Sequence, residues 1–251
     1  MFYVLPNPKA IAVHVSSLLV EKIQNNPKLV LGLATGSTME PIYAAFVSQA
    51  KQLGLSLADL VTFNLDEYLG LAPEHPQSYH HYMQTHLFKP AGIQQTQVSL
   101  PSGMCADVEL ECVNYSQKIK QAGGLDFQLL GIGTNGHIGF NEPGTSFSSL
   151  THVVDLSENT RRDNGRFFED KSQVPTQAIT MGIEDIMSAK EVVLVATGKH
   201  KAEVMAKLFE TAIDEDMPAS IIKSHSNFKI IVDLEAAALL PAQAEQTRIA
   251  C

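Results

Sequence analysis

Three titratable groups in this chain are placed to move protons. Asp66 directly follows the apolar run Leu60-Val-Thr-Phe-Asn-Leu65, and His137 and Glu142 stand five residues apart in a glycine-rich stretch. That stretch runs Leu130-Gly-Ile-Gly-Thr-Asn-Gly-His-Ile-Gly-Phe-Asn-Glu-Pro-Gly144, with Asn135 two residues before the histidine. Gly131, Gly133, Gly136 and Gly139 fall within nine residues, a density that stabilises neither helix nor strand. It suits a tight backbone path close to a ligand. An isolated histidine in such a turn reads as a hydrogen-bonded core residue. The glycines and the carboxylate at another strand end favour a site instead. A carboxylate opposite a hydrogen-bonded imidazole can shuttle protons between carbon and ring oxygen of a sugar.

A second set of residues suits an anion. The apolar run Leu29-Val-Leu-Gly-Leu33 leads into Ala34-Thr-Gly-Ser-Thr38 and then a helical pattern. Strand, Gly/Ser/Thr turn and helix aim free backbone N–H groups outward, and an anion fits there. Thr35, Gly36, Ser37 and Thr38 are the candidate residues; an N-cap supplied by Ser37 or Thr38 is the plain alternative. The turn lacks the Gly-Lys-Ser/Thr ending of a nucleotide-binding P-loop. Arg166 and the lysines of Thr197-Gly-Lys-His-Lys201 supply cations, Arg as a bidentate fork and Lys as a point charge. Together the two sets describe an acid–base enzyme for a phosphorylated small molecule.

Elements must carry these groups to one place. Strands are expected at Phe2 to Leu5, Leu29 to Leu33, Leu60 to Leu65, Phe127 to Ile132, His152 to Leu156, Glu191 to Ala196 and Phe228 to Asp233, with a short one near Gln97 to Leu100. Helices are expected after Pro8 and Thr38, over Ala106 to Gln121 with a Gly123-Gly124 stop, briefly before Met187, and from Lys199 to about Ile213. Leu71 to Phe88 carries His75, His80, His81 and His86, spaced by five, one and five, without metal-ligand spacing; it reads as a surface helix or lid flap. Asn159 to Phe168 reads as an Arg-bearing loop or short helix, and the alanine-rich stretch from Leu234 as a surface helix with a frayed tail. Alternating strands and helices predict one α/β domain over 1–251, a mostly parallel sheet with helices on both faces. Its ligands belong at the carboxyl ends of the strands.

Composition narrows the function. The chain has 251 residues, 45% hydrophobic and 18% charged, and a formal charge of −9. That charge speaks against a nucleic-acid surface, which needs clustered Lys and Arg. Cys105, Cys112 and Cys251 are too few and too irregular for a disulfide framework or a zinc site, so no metal is expected. There is no leader-like start and no apolar run of membrane-spanning length, so the expectation is a cytoplasmic protein without a membrane partner.

Four blocks carry a resemblance: Leu31 to Thr38, Phe63-Asn-Leu-Asp-Glu-Tyr68, Gly131 to Pro143, and Ser220 to His225. In order and spacing they resemble the signature blocks of the glucosamine-6-phosphate deaminase family, over nearly the whole chain to about residue 235. The resemblance implies a modified doubly wound, Rossmann-like α/β sheet. It also implies hydrolysis of glucosamine 6-phosphate to fructose 6-phosphate and ammonia in amino-sugar catabolism, with no cofactor. His137 would then open the pyranose ring, held and tuned by Glu142 and Asn135, and Asp66 would carry the proton between C2 and C1. Ser37, Thr38, Arg166 and Lys201 would hold the phosphate, with Gly36 letting the backbone approach it. Whether the chain is a monomer or a homo-oligomer stays open.

Departures from the family pattern are Met39, where Pro is frequent, and Asn135, where some members have Asp. Thr145 to Val154 offers His152 but no Lys or Arg for a second, regulatory phosphate. Two rivals fit less well. A 6-phosphogluconolactonase shares the fold and the Gly-x-Gly-x-x-Gly-His core, but carries Ser-Leu-Phe-Pro where this chain has Phe140-Asn-Glu-Pro143. A sugar-phosphate-sensing regulator is expected to carry a helix-turn-helix ahead of the first strand, for which this chain leaves no room.

Overall fold

The computed structural model describes residues 2–157, 160–161, 168 and 173–241. Strand β1 (Phe2–Leu5) leads into helix α1 (Pro8–Asn25), whose start is fixed twice over. The Asn7 side chain accepts the Ala10 N–H at 2.9 Å, and Pro8 supplies a preset φ in the first turn. Ile11, Val15, Leu19 and Ile23 form its buried stripe, each stabilising the packed state by about 1.5–3 kcal/mol relative to exposure. Strand β2 (Val30–Leu33) precedes helix α2 (Glu40–Gln52), which packs on α1. Next come β3 (Val61–Asn64), β4 (Asp66–Tyr68) and a helical rod. The rod consists of α3 (Tyr79–Met83), a π-turn at Gln84–Phe88 and α4 (Lys89–Ala91). Strand β5 (Val98–Ser99), α5 (Val108–Gln121), β6 (Phe127–Leu130), β7 (His152–Asp155) and β8 (Gln177–Thr180) follow. Then α6 (Ile183–Met187), β9 (Val192–Ala196), a 3-10 turn at Lys199–Lys201, α7 (Ala202–Glu210), a 3-10 helix at Pro218–Ser224 and β10 (Phe228–Asp233) follow.

Seven strands form one all-parallel sheet in the order β1-β10-β9-β6-β2-β3-β5. Every residue of β2, β6 and β9 is buried. Successive side chains point to opposite faces, so both faces of the sheet are covered. The order contains a switch. From β2 the chain steps outward to β3 and β5, then returns to the other side of β2 with β6 and continues to β9 and β10. The loops after β2 and β6 therefore diverge, and the crevice between them is where open α/β sheets place a ligand.

The expected parallel sheet is present, but three expectations need correction. Asp66–Tyr68 does not simply trail the strand that ends at Leu65: it is a strand of a second, antiparallel sheet, β4-β8-β7, in which Asp66 pairs with Thr180. The segment through Phe88 is no surface flap, since Met83, Leu87 and Phe88 are buried in the main core. The alanine-rich stretch from Leu234 forms turns, with Ala236 fully buried, rather than a surface helix; residues beyond 241 lie outside the described ones. The Arg-bearing stretch around Arg166 lies largely outside them as well.

At the opposite end of the sheet from the crevice, Glu191 accepts from both Lys22 of α1 and Lys229 of β10. The Lys22 ammonium also lies 5.3 Å from the Phe127 ring centre. Burial alone would raise the Glu191 carboxyl, but the two lysine hydrogen bonds outweigh it and bring its pKa below the usual value. The expected outcome for Glu191→Ala is a loss of about 1–3 kcal/mol in urea unfolding near pH 7. Because the folded pKa is depressed, that deficit is present above the unfolded carboxylate pKa and shrinks as pH falls through the folded one. Equal deficits at pH 7 and pH 3 would refute the ion-pair account.

Candidate active site

The base candidate sits where the two sheets meet. Leu65 donates its N–H to Leu33 O of the main sheet at 3.1 Å, and its own carbonyl accepts the Met181 N–H that follows β8, at 2.6 Å. Asp66, the next residue, is thereby turned into the small sheet and keeps 5% exposure. Burial, and then the neighbouring Glu67 charge, raise its carboxyl to about 8. Above it passes Gly139 at φ +58°, where an added Cβ would lie 3.0 Å from Thr180 Oγ1 and 3.4 Å from Asp66 Oδ2. Only glycine takes that path without strain.

The same glycine-rich loop carries the imidazole. Gly133 donates to His137 O at 2.9 Å, closing a tight turn, and Gly136 within it has φ +91°. A Cβ on Gly133 would fall 2.3 Å from the His137 ring, so the missing side chain is the space in which the ring sits. Asn135 Oδ1 accepts the His137 N–H at 3.2 Å, while its Nδ2 donates to Glu142 Oε2 at 2.6 Å. A carboxylate needs donors, so an amide at 135 braces Glu142 where an aspartate would repel it. Thr160 Oγ1 donates to Glu142 Oε1 at 2.5 Å. His137 Nδ1 lies 3.4 Å from that oxygen, within ion-pair reach but without the alignment of a hydrogen bond. Burial would raise Glu142, yet the His137, Thr160 and Asn135 contacts prevail and lower it to about 2. Glu142 thus stays charged beside the imidazole while Asp66 is held near neutrality's upper edge.

The turn after β2 lies on the same rim. Gly36 adopts φ +105°, and Gly36 and Ser37 are exposed. Helix α2 begins after Met39 with no side-chain cap, so neither Ser37 nor Thr38 plays the plain N-cap part. Thr38 Oγ1 is 3.4 Å from Thr197 Oγ1, and Lys201 Nζ donates to Ile132 O at 2.7 Å. The first contact joins the β2 turn to the turn after β9, and the second joins that β9 turn to the loop that carries His137. Ala219, the residue before the resembling block Ser220 to His225, donates to Gly136 O of that loop at 2.9 Å. Arg166 lies outside the described residues. Sequence reasoning missed Thr160 and Thr180, single hydroxyls in unpatterned stretches, and it missed Glu67 and Tyr82 as supports. Among the described residues no group of three or more His, Cys, Asp or Glu side chains is arranged to hold a metal ion.

Fold and rim together define an α/β enzyme equipped for proton transfer on a small anionic molecule. The chain belongs to the family described as glucosamine-6-phosphate isomerases and 6-phosphogluconolactonases, whose model matches residues 8–231. A glucosamine-6-phosphate deaminase of Shouchella clausii is 52% identical over 91% of this chain and 93% of its own. One from Thermoanaerobacter pseudethanolicus is 45% identical over 90% of this chain and 89% of its own. A solved monomeric glucosamine-6-phosphate deaminase superposes with TM-score 0.93 at 43% identity, covering 95% of this chain and all (100%) of its own. The 6-phosphogluconolactonase of Thermotoga maritima shares the fold at TM-score 0.70 and 19% identity, over 93% of this chain and 99% of its own.

Two predictions follow from the geometry. Gly133→Ala should drive the His137 ring from its seat and lower activity by about 10²-fold or more, the scale of a lost acid–base group, with circular dichroism unchanged. Activity within a few-fold of the parent would show that the ring has room to spare. Asp66→Asn should raise the melting temperature, because an amide avoids burying a charge. A folded pKa raised to about 8 means Asp66 stabilises least once ionised, so the gain should grow as pH rises from about 4 to 8 and then level off. A gain that stays flat with pH would refute the desolvation.

Proposed function

We propose that the protein is a glucosamine-6-phosphate deaminase, converting glucosamine 6-phosphate and water to fructose 6-phosphate and ammonia without a cofactor. The observation that carries this reading is the pairing of a desolvated carboxylate, Asp66, with an imidazole braced by Glu142 and Asn135 across Gly139. The identity to named deaminases over most of the chain supports the same substrate.

The roles follow from the chemistry. His137 takes the proton of the ring hydroxyl and returns it to the ring oxygen, opening the pyranose; charged Glu142 and Asn135 hold the imidazole for it. Asp66, ionised, removes the C2 proton to give an enolamine and delivers that proton to C1. The resulting C2 imine takes up water and releases ammonia, leaving the ketose. Thr35, Gly36, Ser37 and Thr38 offer backbone and hydroxyl donors to the phosphate, with Arg166 and Lys201 as its cations. A base held at about 8 sits close to the pH at which it works, which maximises proton transfer in both directions. The setting is amino-sugar catabolism in the cytoplasm.

The deciding assay is ammonia release from glucosamine 6-phosphate. Asp66→Asn should bind substrate and lose about 10²–10⁴-fold in kcat. In the parent, kcat/KM should rise with pH to an acid-limb pKa near 8, because only the ionised carboxylate is a base. Unphosphorylated glucosamine should be a far poorer substrate. Turnover of glucosamine equal to that of its phosphate, or a fully active Asp66→Asn, would overturn the reading.

A further inference from the structure

The anion turn at residues 35–38 is exposed at its tip, Gly36 and Ser37. Among the described residues nothing lies within 4 Å of where a Cβ on Gly36 would be, and helix α2 behind it has no side-chain cap. Hydrogen bonds must therefore set its conformation, and two of them come from tyrosine hydroxyls. Tyr43 of α2, fully buried, donates to Ala34 O. Tyr82 of α3 donates to Gly36 O at 2.8 Å, an oxygen that also accepts the Met39 N–H at 2.9 Å. A trans peptide is planar with its C=O and N–H pointing oppositely. Pinning the Ala34 and Gly36 carbonyls on the helix side thus turns the Thr35 and Ser37 N–H groups the other way, toward the crevice.

Tyr82 can do this only if α3 is itself fixed, and a helix of one and a half turns is not stable alone. Its anchor is Glu67. That carboxylate, 3% exposed, accepts the N–H groups of Tyr68 at 2.9 Å, Tyr79 at 2.9 Å and His80 at 2.8 Å. Ser78 takes the next one, His81 N–H, at 3.0 Å. At its other end the rod is sunk in the core through Met83, Leu87 and Phe88, and the Tyr82 ring lies 4.5 Å from that of His86. Glu67 is also the residue after Asp66 on β4, its side chain directed to the opposite side of the strand.

We propose that Tyr82 is a positioning residue for the substrate anion, its hydroxyl holding the Gly36 carbonyl, and that Glu67 positions Tyr82 by docking α3 onto the strand that carries Asp66. The histidine-bearing rod is then a brace between the base and the anion turn. The inference rests on the proposed function in taking residues 35–38 as the phosphate-binding turn. Burial first, and the Glu40 charge second, push the Tyr82 hydroxyl well above its usual pKa, so it remains a donor throughout the working range.

The test uses inorganic phosphate as probe, titrated by calorimetry, beside steady-state kinetics on glucosamine 6-phosphate. Tyr82→Phe keeps the ring and removes one neutral hydrogen bond, so phosphate affinity should fall about three- to tenfold. KM should rise by the same factor, with kcat within about twofold and the melting temperature unchanged. Glu67→Gln, which replaces one acceptor oxygen with a donor facing backbone N–H groups, should weaken phosphate to the same degree, and the double variant should lose no more than either single one. Parental phosphate affinity in Tyr82→Phe, a loss confined to kcat, or additive losses in the double variant would each overturn the brace. A parent that binds phosphate but releases no ammonia sinks the deaminase reading alone, and the titrations still decide the brace.

Discussion

The burial of Asp66 is the constraint from which most of the site follows. A carboxylate with 5% exposure is expensive to ionise, and its raised pKa expresses that cost. Burial at this point needs three elements at once: the end of β3 to deliver it, β8 to pair with it, and a loop close enough to cover it. Pairing is supplied by the Asp66–Thr180 register, and the cover by Gly139. The cover in turn determines what the loop can be. A backbone at positive φ pressed against Thr180 and Asp66 leaves no room for a side chain, and the same loop carries His137 and Glu142 on either side of that glycine. Thus one desolvated carboxylate accounts for a second sheet and for the glycine that covers it.

The two carboxylates of the rim illustrate how environment assigns roles. Both are withdrawn from water, which raises each. Among the described residues no cation opposes that effect at Asp66 and a like charge stands next to it, so it moves to about 8. Glu142 meets an imidazole, an amide and a hydroxyl, and falls to about 2. Titratable groups pushed apart in this way divide the labour, one exchanging its proton and the other remaining a fixed charge.

Much of this was legible in the chain, for identifiable reasons. Strands β2, β6 and β9 of the main sheet are short, largely apolar runs, and buried strands read that way because both of their faces are covered. Asp66, Asn135, His137 and Glu142 could be picked out because polar groups directly after such runs land on one rim. The small sheet was not legible as a sheet. Asp66–Tyr68 is polar at two of its three positions, and its partner lies far along the chain, so no local period marks it. Thr160 was invisible for a related reason: one hydroxyl that completes a hydrogen-bond set leaves no spacing to detect. The segment from Leu71 to Phe88 reads as a surface helix or lid flap because its His, Tyr and Gln residues outnumber the few apolar ones that anchor it in the core. The residues that count there are Tyr82, through its hydroxyl, and Met83, Leu87 and Phe88, through burial.

Stability and chemistry are placed at opposite ends of the sheet. At one end Glu191 with Lys22 and Lys229 ties α1, β9 and β10 together by charges that favour the folded state. At the other, Asp66 opposes folding once ionised, Gly36, Gly136 and Gly139 take left-handed backbone that few other residues accept, and the anion turn is exposed at its tip. Parallel strands make that division natural. Every carboxyl end faces the same way, so every loop that must distort for function lies on one side, and the opposite rim is free to be stabilised. The chain crosses from one regime to the other at Leu65, whose N–H belongs to the main sheet and whose carbonyl receives the small one. A backbone bonded on both sides at that residue holds the costly aspartate beside it without requiring the surrounding turns to be rigid themselves.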